Sequence, residues 1–283
     1  MITVSETAIP FKFTVTTTAA NTVFTLPISD YGTFTPNIGV DWGDSTVSTI
    51  TSSTSVNKLH TYVSAGTYTI SISGFCPSFV VNNASSSRTL IKTIIQWGDV
   101  GFKQLNFYGC ISITSIPGGY KGLSNVETFA NFMRSTGLTS IPSDIFSFST
   151  VATVFSDIFS FTSIASIPNG LFSANTQAQT FNSAFNNCLS LTTCPSNLFD
   201  TNINVINFAS TFRNCRALTS TVAFTYNTNV TTFNNTYFMS STTNALVGNA
   251  PTLWTRIPEP YGVGAFRNCI NLTNYASIPL NWR

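Results

Sequence analysis

Six cysteines, one histidine and ten carboxylates are the side chains of this 283-residue chain best suited to chemistry. Cys76, Cys110, Cys188, Cys194, Cys215 and Cys269 make an even number, which invites a disulfide reading. Four of them, however, fall at one position of a repeated phrase, where a thiol serves as a small buried hydrophobe. A reduced cysteine ladder is therefore expected. Cys188 and Cys215 would be near enough to bridge on adjacent coils, although stacked coils seldom supply the disulfide torsion. Cys188 and Cys194 lack the short spacing of zinc ligands, and His60 stands alone, so neither metal nor cofactor is expected. Asp41 and Asp44 read as turn formers. A calcium site there stays open, but two carboxylates are few for a hard cation. In the repeats, Asp144, Asp157 and Asp200 are acidic. A glycosidase needs two carboxylates about 5–10 Å apart in a cleft. Asp144 and Asp157 meet that demand only if adjacent coils bring them together, and solvated loop positions are the expectation. No Gly-rich phosphate loop and no Gly-x-Ser-x-Gly motif occurs. The residue types argue against an enzyme.

The elements that must position these residues repeat. Ile113-Thr114-Ser115-Ile116-Pro117 returns as Leu138-Thr139-Ser140-Ile141-Pro142, Ile164-Ala165-Ser166-Ile167-Pro168 and Leu191-Thr192-Thr193-Cys194-Pro195. A degenerate copy is Leu218-Thr219-Ser220-Thr221-Val222, and a last one runs from Leu272 to Pro279. The first four prolines are 25, 26 and 27 residues apart. Phe129, Phe155, Phe181, Phe208 and Phe233 keep the same period. Phe185, Phe212 and Phe266 each stand three residues before a cysteine, and Phe146, Phe172 and Phe199 form another series. A period of this size means stacked coils, each burying its apolar face only against its neighbours. Ladders of stacked rings inside a core account for such Phe spacing. The Leu-Thr-Ser-Ile phrase suits a short strand ended by proline. Its alternation is imperfect, so a bend is needed to bury both Leu138 and Ile141. Helical spacing of Phe129, Phe132 and Met133 predicts a short helix or 3-10 turn between strands. Six or seven coils at about 4.8 Å would span about 30 Å.

Ala265-Phe266-Arg267-Asn268-Cys269-Ile270-Asn271-Leu272 and Ala184-Phe185-Asn186-Asn187-Cys188-Leu189-Ser190-Leu191 resemble the leucine-rich repeats of bacterial surface proteins. Related repeats of this length occur in phage or viral proteins. The resemblance covers residues 89–283 and implies a solenoid. The second and third repeats lack the cysteine, and Tyr237 to Pro260 is irregular, which predicts an inserted loop or distorted coil. Loops on such scaffolds carry specific contacts.

The N-terminal third is different. Val40-Asp41-Trp42-Gly43-Asp44-Ser45-Thr46, His60-Thr61-Tyr62 and Gly66-Thr67-Tyr68-Thr69-Ile70-Ser71-Ile72 together resemble the polycystic-kidney-disease-type immunoglobulin-like domain. Ser45 stands where that family has glycine. The resemblance implies a β-sandwich with Trp42 in its core, a structural His60, and a spacer or adhesion role. Tyr68, Ile70 and Ile72 alternate with Thr69 and Ser71 as a half-buried strand should. Val81 to Arg88 is the expected linker. Leu90 to Ile95, followed by Trp97-Gly98-Asp99, reads as a junction. The expected architecture is mainly β: a sandwich over 1–85, then a leucine-rich-repeat-like solenoid over 86–283, with an irregular insertion near 237–260.

Charged residues make up 8% of the chain, against about 25% in an average globular protein. Net charge is +2 and no run of Lys or Arg occurs, which argues against nucleic acid. Such a surface suits neutral sugars or packing against other subunits. No apolar run is long enough for a membrane helix, and Met1 to Glu6 has no export signature. Extracellular-style modules without an export signature lead to the expectation of a phage virion structural protein: a fibre, tail-associated or capsid-decorating subunit. Its partners would be other virion proteins and a host-surface glycan or protein, with a homo-oligomer compatible. A bacterial cell-surface adhesin is the alternative, and a polysaccharide depolymerase the third reading. The candidate contacts are Trp254 and Tyr261 in the irregular loop and Thr139, Ser140, Thr192 and Thr219 in the repeated phrase.

Overall fold

The computed structural model describes residues 8–81 and 86–283. The reading of Met1 to Glu6, and that of Asn82 to Ser85 as linker, lie outside the described residues. The chain is mainly β. Its strands are β1 (Phe11–Thr17), β2 (Thr22–Thr25), β3 (Ile28–Ser29), β4 (Asn37–Asp41), β5 (Val47–Ile50), β6 (Leu59–Tyr62), β7 (Gly66–Phe75), β8 (Ser78–Val81), β9 (Ile91–Gln96) and β10 (Gln104–Phe107). An antiparallel five-stranded sheet has the order β5-β4-β7-β1-β9. In β1, Phe11, Phe13 and Val15 point inward and alternate with half-buried Lys12, Thr14 and Thr16. That is the period-2 pattern of a sheet with one buried face. The pair β2 and β6 is antiparallel, and a further sheet has the order β10-β8-β3.

This last sheet joins the two halves. β10 pairs parallel with β8, Gln104 opposite Ser78. Gln104 also bridges Thr128 in parallel, and the series continues through Val154, Thr180, Asn207, Thr232 and Tyr261. One ladder therefore runs from the N-terminal strands along every coil that follows. The division expected at residue 85 does not coincide with the pairing. β9 lies beyond it yet pairs with β1 in the first sheet. Nor are residues 86–88 an open linker: buried Ser87 donates to the Thr25 carbonyl at 2.8 Å and accepts from the Thr25 N–H. Trp97 sits at the junction, 6.5 Å from Phe11 and 5.7 Å from Phe132 between ring centroids. Gly98 has a φ of +70°, and a Cβ there would lie 2.2 Å from the Phe11 nitrogen, so the turn admits only glycine.

The coils are held by two devices. Backbone N–H groups of alternate residues reach the next coil: Phe155 to Thr180, Asp157 to Asn182, Phe159 to Ala184 and Phe161 to Asn186, all at 2.8–3.0 Å. Residues between them bond three positions back, as Ser160 does to Asp157. A helix cannot propagate through this pattern, because Asn131, Ser135, Asp157, Phe161, Ser183, Asn187, Ser210 and Asn214 take φ values of 53–60°. The expected helix or 3-10 turn is thus a run of turns broken by left-handed residues. Asn, Asp and Ser dominate those positions, and Asn and Asp tolerate the left-handed region best. Three ring ladders fill the interior. Phe129, Phe155, Phe181, Phe208 and Phe233 follow one another at 5.2–5.9 Å. Phe146, Phe172, Phe199 and Phe224 do so at 5.6–6.0 Å. The third is Phe159, Phe185, Phe212, Tyr237 and Phe266 at 5.3–5.9 Å.

A polar ladder accompanies them. Buried Asn175, Asn202 and Asn227 each donate Nδ2 to two carbonyls of the preceding coil at 2.9–3.1 Å. Arg256 takes the next place, donating to the Asn227 and Phe224 carbonyls. The irregular stretch is shorter than expected. Tyr237 and Met239 keep the ladder bonds to Ala265 and Arg267. The Leu-Thr-Ser-Ile phrase is a bend rather than the expected strand. Leu138 and Ile141 both turn inward and the residues between them turn out, with one or two backbone bonds between successive copies, such as Thr219 to Thr192 alone but both Thr192 to Ala165 and Ile167 to Thr193, where Ser166 and Thr193 form an isolated parallel bridge. Trp282 closes the stack over Gly262, where a Cβ would lie 2.2 Å from the indole.

Candidate recognition surface

Stacking turns one residue per coil into a column. Thr139, Thr192 and Thr219 are exposed along one edge, with Ala165 between the first two and Ser140 beside Thr139. Their backbones are linked in series from Thr114 through Thr139, Ala165, Thr192 and Thr219 to Val247. The hydroxyls are partly committed: Thr192 Oγ1 donates to the Ala165 carbonyl and Thr219 Oγ1 to the Thr192 carbonyl, each at 3.0 Å. Each oxygen keeps its lone pairs for an outside donor. The edge can therefore accept hydrogen bonds at regular intervals and carries no charge.

The two aromatic candidates separate. Trp254 is half-buried and meets Phe266 and Trp282 edge-on at 6.2 and 6.1 Å, so it closes the core. Tyr261 is 73% exposed. It continues the parallel ladder beside Thr232. Its ring stands at a groove of about 450 Å³ lined by Thr228, Asn229, Thr231, Pro258, Glu259 and Pro260. Glu259 Oε1 accepts from Trp282 Nε1 at 2.9 Å, which fixes the carboxylate at the lip. A flat ring beside hydroxyl, amide and carboxylate groups is a surface on which a sugar can stack and hydrogen-bond. Tyr261 and the threonine edge are separate features.

The residue types suited to chemistry are held structurally. His60 Nε2 lies 2.7 Å from Asp44 Oδ2, and its ring stacks on Trp42 at 4.6 Å between centroids. Trp42 is fully buried, and Tyr62 donates its hydroxyl to the Trp42 carbonyl. Burial works to raise the Asp44 carboxyl, but bonds from Thr46 and His60 outweigh it and hold it below its ordinary 3.8. Asp41 accepts from the Gly43 N–H. Asp157 pairs with Arg134 at 3.1 Å, whereas Asp144 is exposed beside Gly118. The six cysteines are free. Cys188, Cys215 and Cys269 donate to the Phe159, Phe185 and Tyr237 carbonyls at 3.0–3.2 Å. Burial pushes the Cys76, Cys110, Cys194 and Cys269 thiols up to about 12, far from reactive thiolates. Among the described residues no group of three His, Cys, Asp or Glu is placed to hold a metal. Among them, too, no helix is long and apolar enough to cross a membrane.

Sequence reasoning found no basic cluster, yet the fold assembles one. Arg213, Phe238 and Arg267 come from three successive coils, with both guanidinium groups over the Phe238 ring. The signal was in the distribution of charge rather than in any run. After residue 200 the chain has five Arg, no Lys, and Glu259 as its one acid.

No family model matches the chain. No curated protein matches it with significance.

Proposed function

We propose that this chain is a non-enzymatic recognition protein of a phage particle, a fibre, tail-associated or capsid-decorating subunit that meets a host surface. The N-terminal sheets are read as a polycystic-kidney-disease-type immunoglobulin-like sandwich. The coils are read as a leucine-rich-repeat solenoid of the bacterial-surface-protein kind. The observation that carries this reading is the register of the stack, which turns one residue per coil into a long edge bearing Thr139, Thr192 and Thr219. An edge of this kind offers repeated weak contacts, and their sum through multivalency gives avidity without a deep pocket. Tyr261 adds an exposed ring at the far end of the ladder. The buried cysteines, the paired Asp157 and the structural His60 support binding over catalysis. Other virion proteins and a host-surface glycan or protein are the partners this reading names.

The test is immunogold electron microscopy on purified particles from the source culture, with an antibody to residues 89–283. Regular label on head or tail is the expected result. Bare particles with label on cells would replace the virion assignment by a bacterial surface adhesin. Recognition is tested separately, by binding of the purified full chain to host cells. Tyr261→Ala should weaken it, and unchanged binding would remove Tyr261 from the contact surface.

A further inference from the structure

Six arginines lie in the stack, and four have visible employment. Arg134 rests on Tyr108 at 4.9 Å, pairs with Asp157 at 3.1 Å and donates to Asn131 Oδ1. Arg256 gives both terminal nitrogens to carbonyls. Arg283 donates to the Tyr275 and Ala276 carbonyls. Arg216 donates to Ser240 Oγ at 2.7 Å. Arg213 and Arg267 differ. Their Cζ atoms lie 4.9 and 5.6 Å from the Phe238 centroid, one from the coil before and one from the coil after. Neither makes a side-chain hydrogen bond or ion pair among the described residues; Arg213 Nε is buried without a partner, as Arg134 Nε is, but Arg134 has Asp157 for its terminal nitrogen. Guanidinium is a rigid fork of five donors made for carboxylate or phosphate.

We propose that the Arg213–Phe238–Arg267 face binds a carboxylate-bearing sugar chain running along the stack. The ring fixes the two cations by cation–π contact, so neither must be ordered on binding. Two coils separate them, about 10 Å at the spacing of paired strands. Extended sugar chains advance by a length comparable to one coil, so acids on alternate sugars would meet successive arginines. Each guanidinium can take one carboxylate in fork geometry. Amides stand beside the two arginines: Asn214 and Asn268 follow them in the chain, and the Asn187 N–H bonds the Arg213 carbonyl, while Arg216, a further cation, is held by Ser240 Oγ. Amides both donate to and accept from sugar hydroxyls. That rim, and the enclosure of Phe238 between guanidinium groups, favour an acidic sugar over nucleic acid, which would want free aromatic faces and a denser row of charge. The face also lies in a part of the chain with a net positive balance, five Arg against Glu259 after residue 200. The site stands whether the chain is carried on a particle or on a cell.

The test is calorimetry of the full chain with oligogalacturonate and oligosialic acid, against methyl-esterified oligogalacturonate and an oligothymidylate of similar charge. At least one acidic oligosaccharide should bind, more weakly as salt rises. The ester should not. Arg213→Gln or Arg267→Gln should each weaken binding about tenfold, the loss of one charge-assisted contact. Arg134→Gln, whose charge is already matched by Asp157, should leave affinity unchanged. Melting curves of each variant separate lost binding from lost folding. Binding of neither acid, equal binding of the ester, or unchanged affinity in the folded Arg213→Gln/Arg267→Gln double variant would overturn the proposal. Tighter binding of the oligothymidylate would overturn it in favour of a phosphate-chain site.

Discussion

The N-terminal sheets and the coil stack meet the same demand, a partner for every buried N–H, in opposite ways. In the sheets, β1 lies between β7 and β9, and its side chains alternate in and out. In the stack, alternate residues reach the next coil and the rest bond within their own turn. The sheet is written in β-branched and aromatic residues at period 2. The stack is written in Phe at a period near 26 and in Asn, Asp and Ser where φ turns positive. The difference has an energetic consequence. A coil has no core of its own, so damage to one is felt by its neighbours on both sides.

The largest expected effect exploits this. Phe199 is fully buried and touches the rings of Phe172, Phe181, Phe208, Phe212 and Phe224. Phe199→Ala should cost about 3–5 kcal/mol, measured by denaturant unfolding of the full chain. A loss below about 1 kcal/mol, the range of mild surface changes, would mean that the coils do not share one core. Next comes the asparagine ladder. Asn202→Ala removes two hydrogen bonds, those to the Phe172 and Asn175 carbonyls, which keep only the N–H groups of Asn175 and Ala178 and the Thr201 hydroxyl. The expected cost is about 1–3 kcal/mol, read by the same unfolding curve. A neutral result would show that the ladder decorates rather than supports the stack.

These two sites also show what could be read from the chain. The Phe129 and Phe146 series were legible because phenylalanine is conspicuous and repeats without substitution. The third ladder was half hidden, because Tyr237 takes a phenylalanine position at the start of the stretch that reads as irregular. Asn175, Asn202 and Asn227 keep the period too, but in a chain this rich in Asn they do not stand out. Arg256 hides the next rung completely, since its guanidinium does the work of an amide from a different backbone position. Trp42 and His60 were placed by a compact local motif. Arg213 and Arg267 were not, because their meeting at Phe238 depends on register across 54 residues. The strand expected at Leu-Thr-Ser-Ile is cut short for a local reason: burying both Leu138 and Ile141 requires a bend, and the bend leaves only one or two backbone bonds between copies.

A smaller effect separates side chain from backbone. Ser183 takes φ 56°. Ser183→Val puts a β-branched residue in the left-handed region and should cost about 1–2 kcal/mol, whereas Ser183→Gly should be tolerated. Thermal melts of the pair test this. Equal loss from both would assign the cost to the serine side chain and not to the turn. In the N-terminal sheets no equivalent position inside β1 should show such a valine penalty, because the extended backbone there favours β-branching.

The smallest effect belongs to the sheets and is set by pH. Asp44 holds its carboxyl below the ordinary 3.8 through Thr46 and His60, against the opposing pull of burial. As pH falls, the unfolded chain therefore takes up this proton first. The stabilisation is complete above 3.8 and drains away as pH drops through the lower folded value. Asp44→Asn retains an oxygen for the Thr46 N–H and hydroxyl but removes the charge that faces His60. The variant should be less stable than the parent near neutral pH, and the gap should close in acid. The readout is denaturant unfolding of parent and variant across the titration. A gap of constant size across the titration would show that the Asp44 link works through geometry alone.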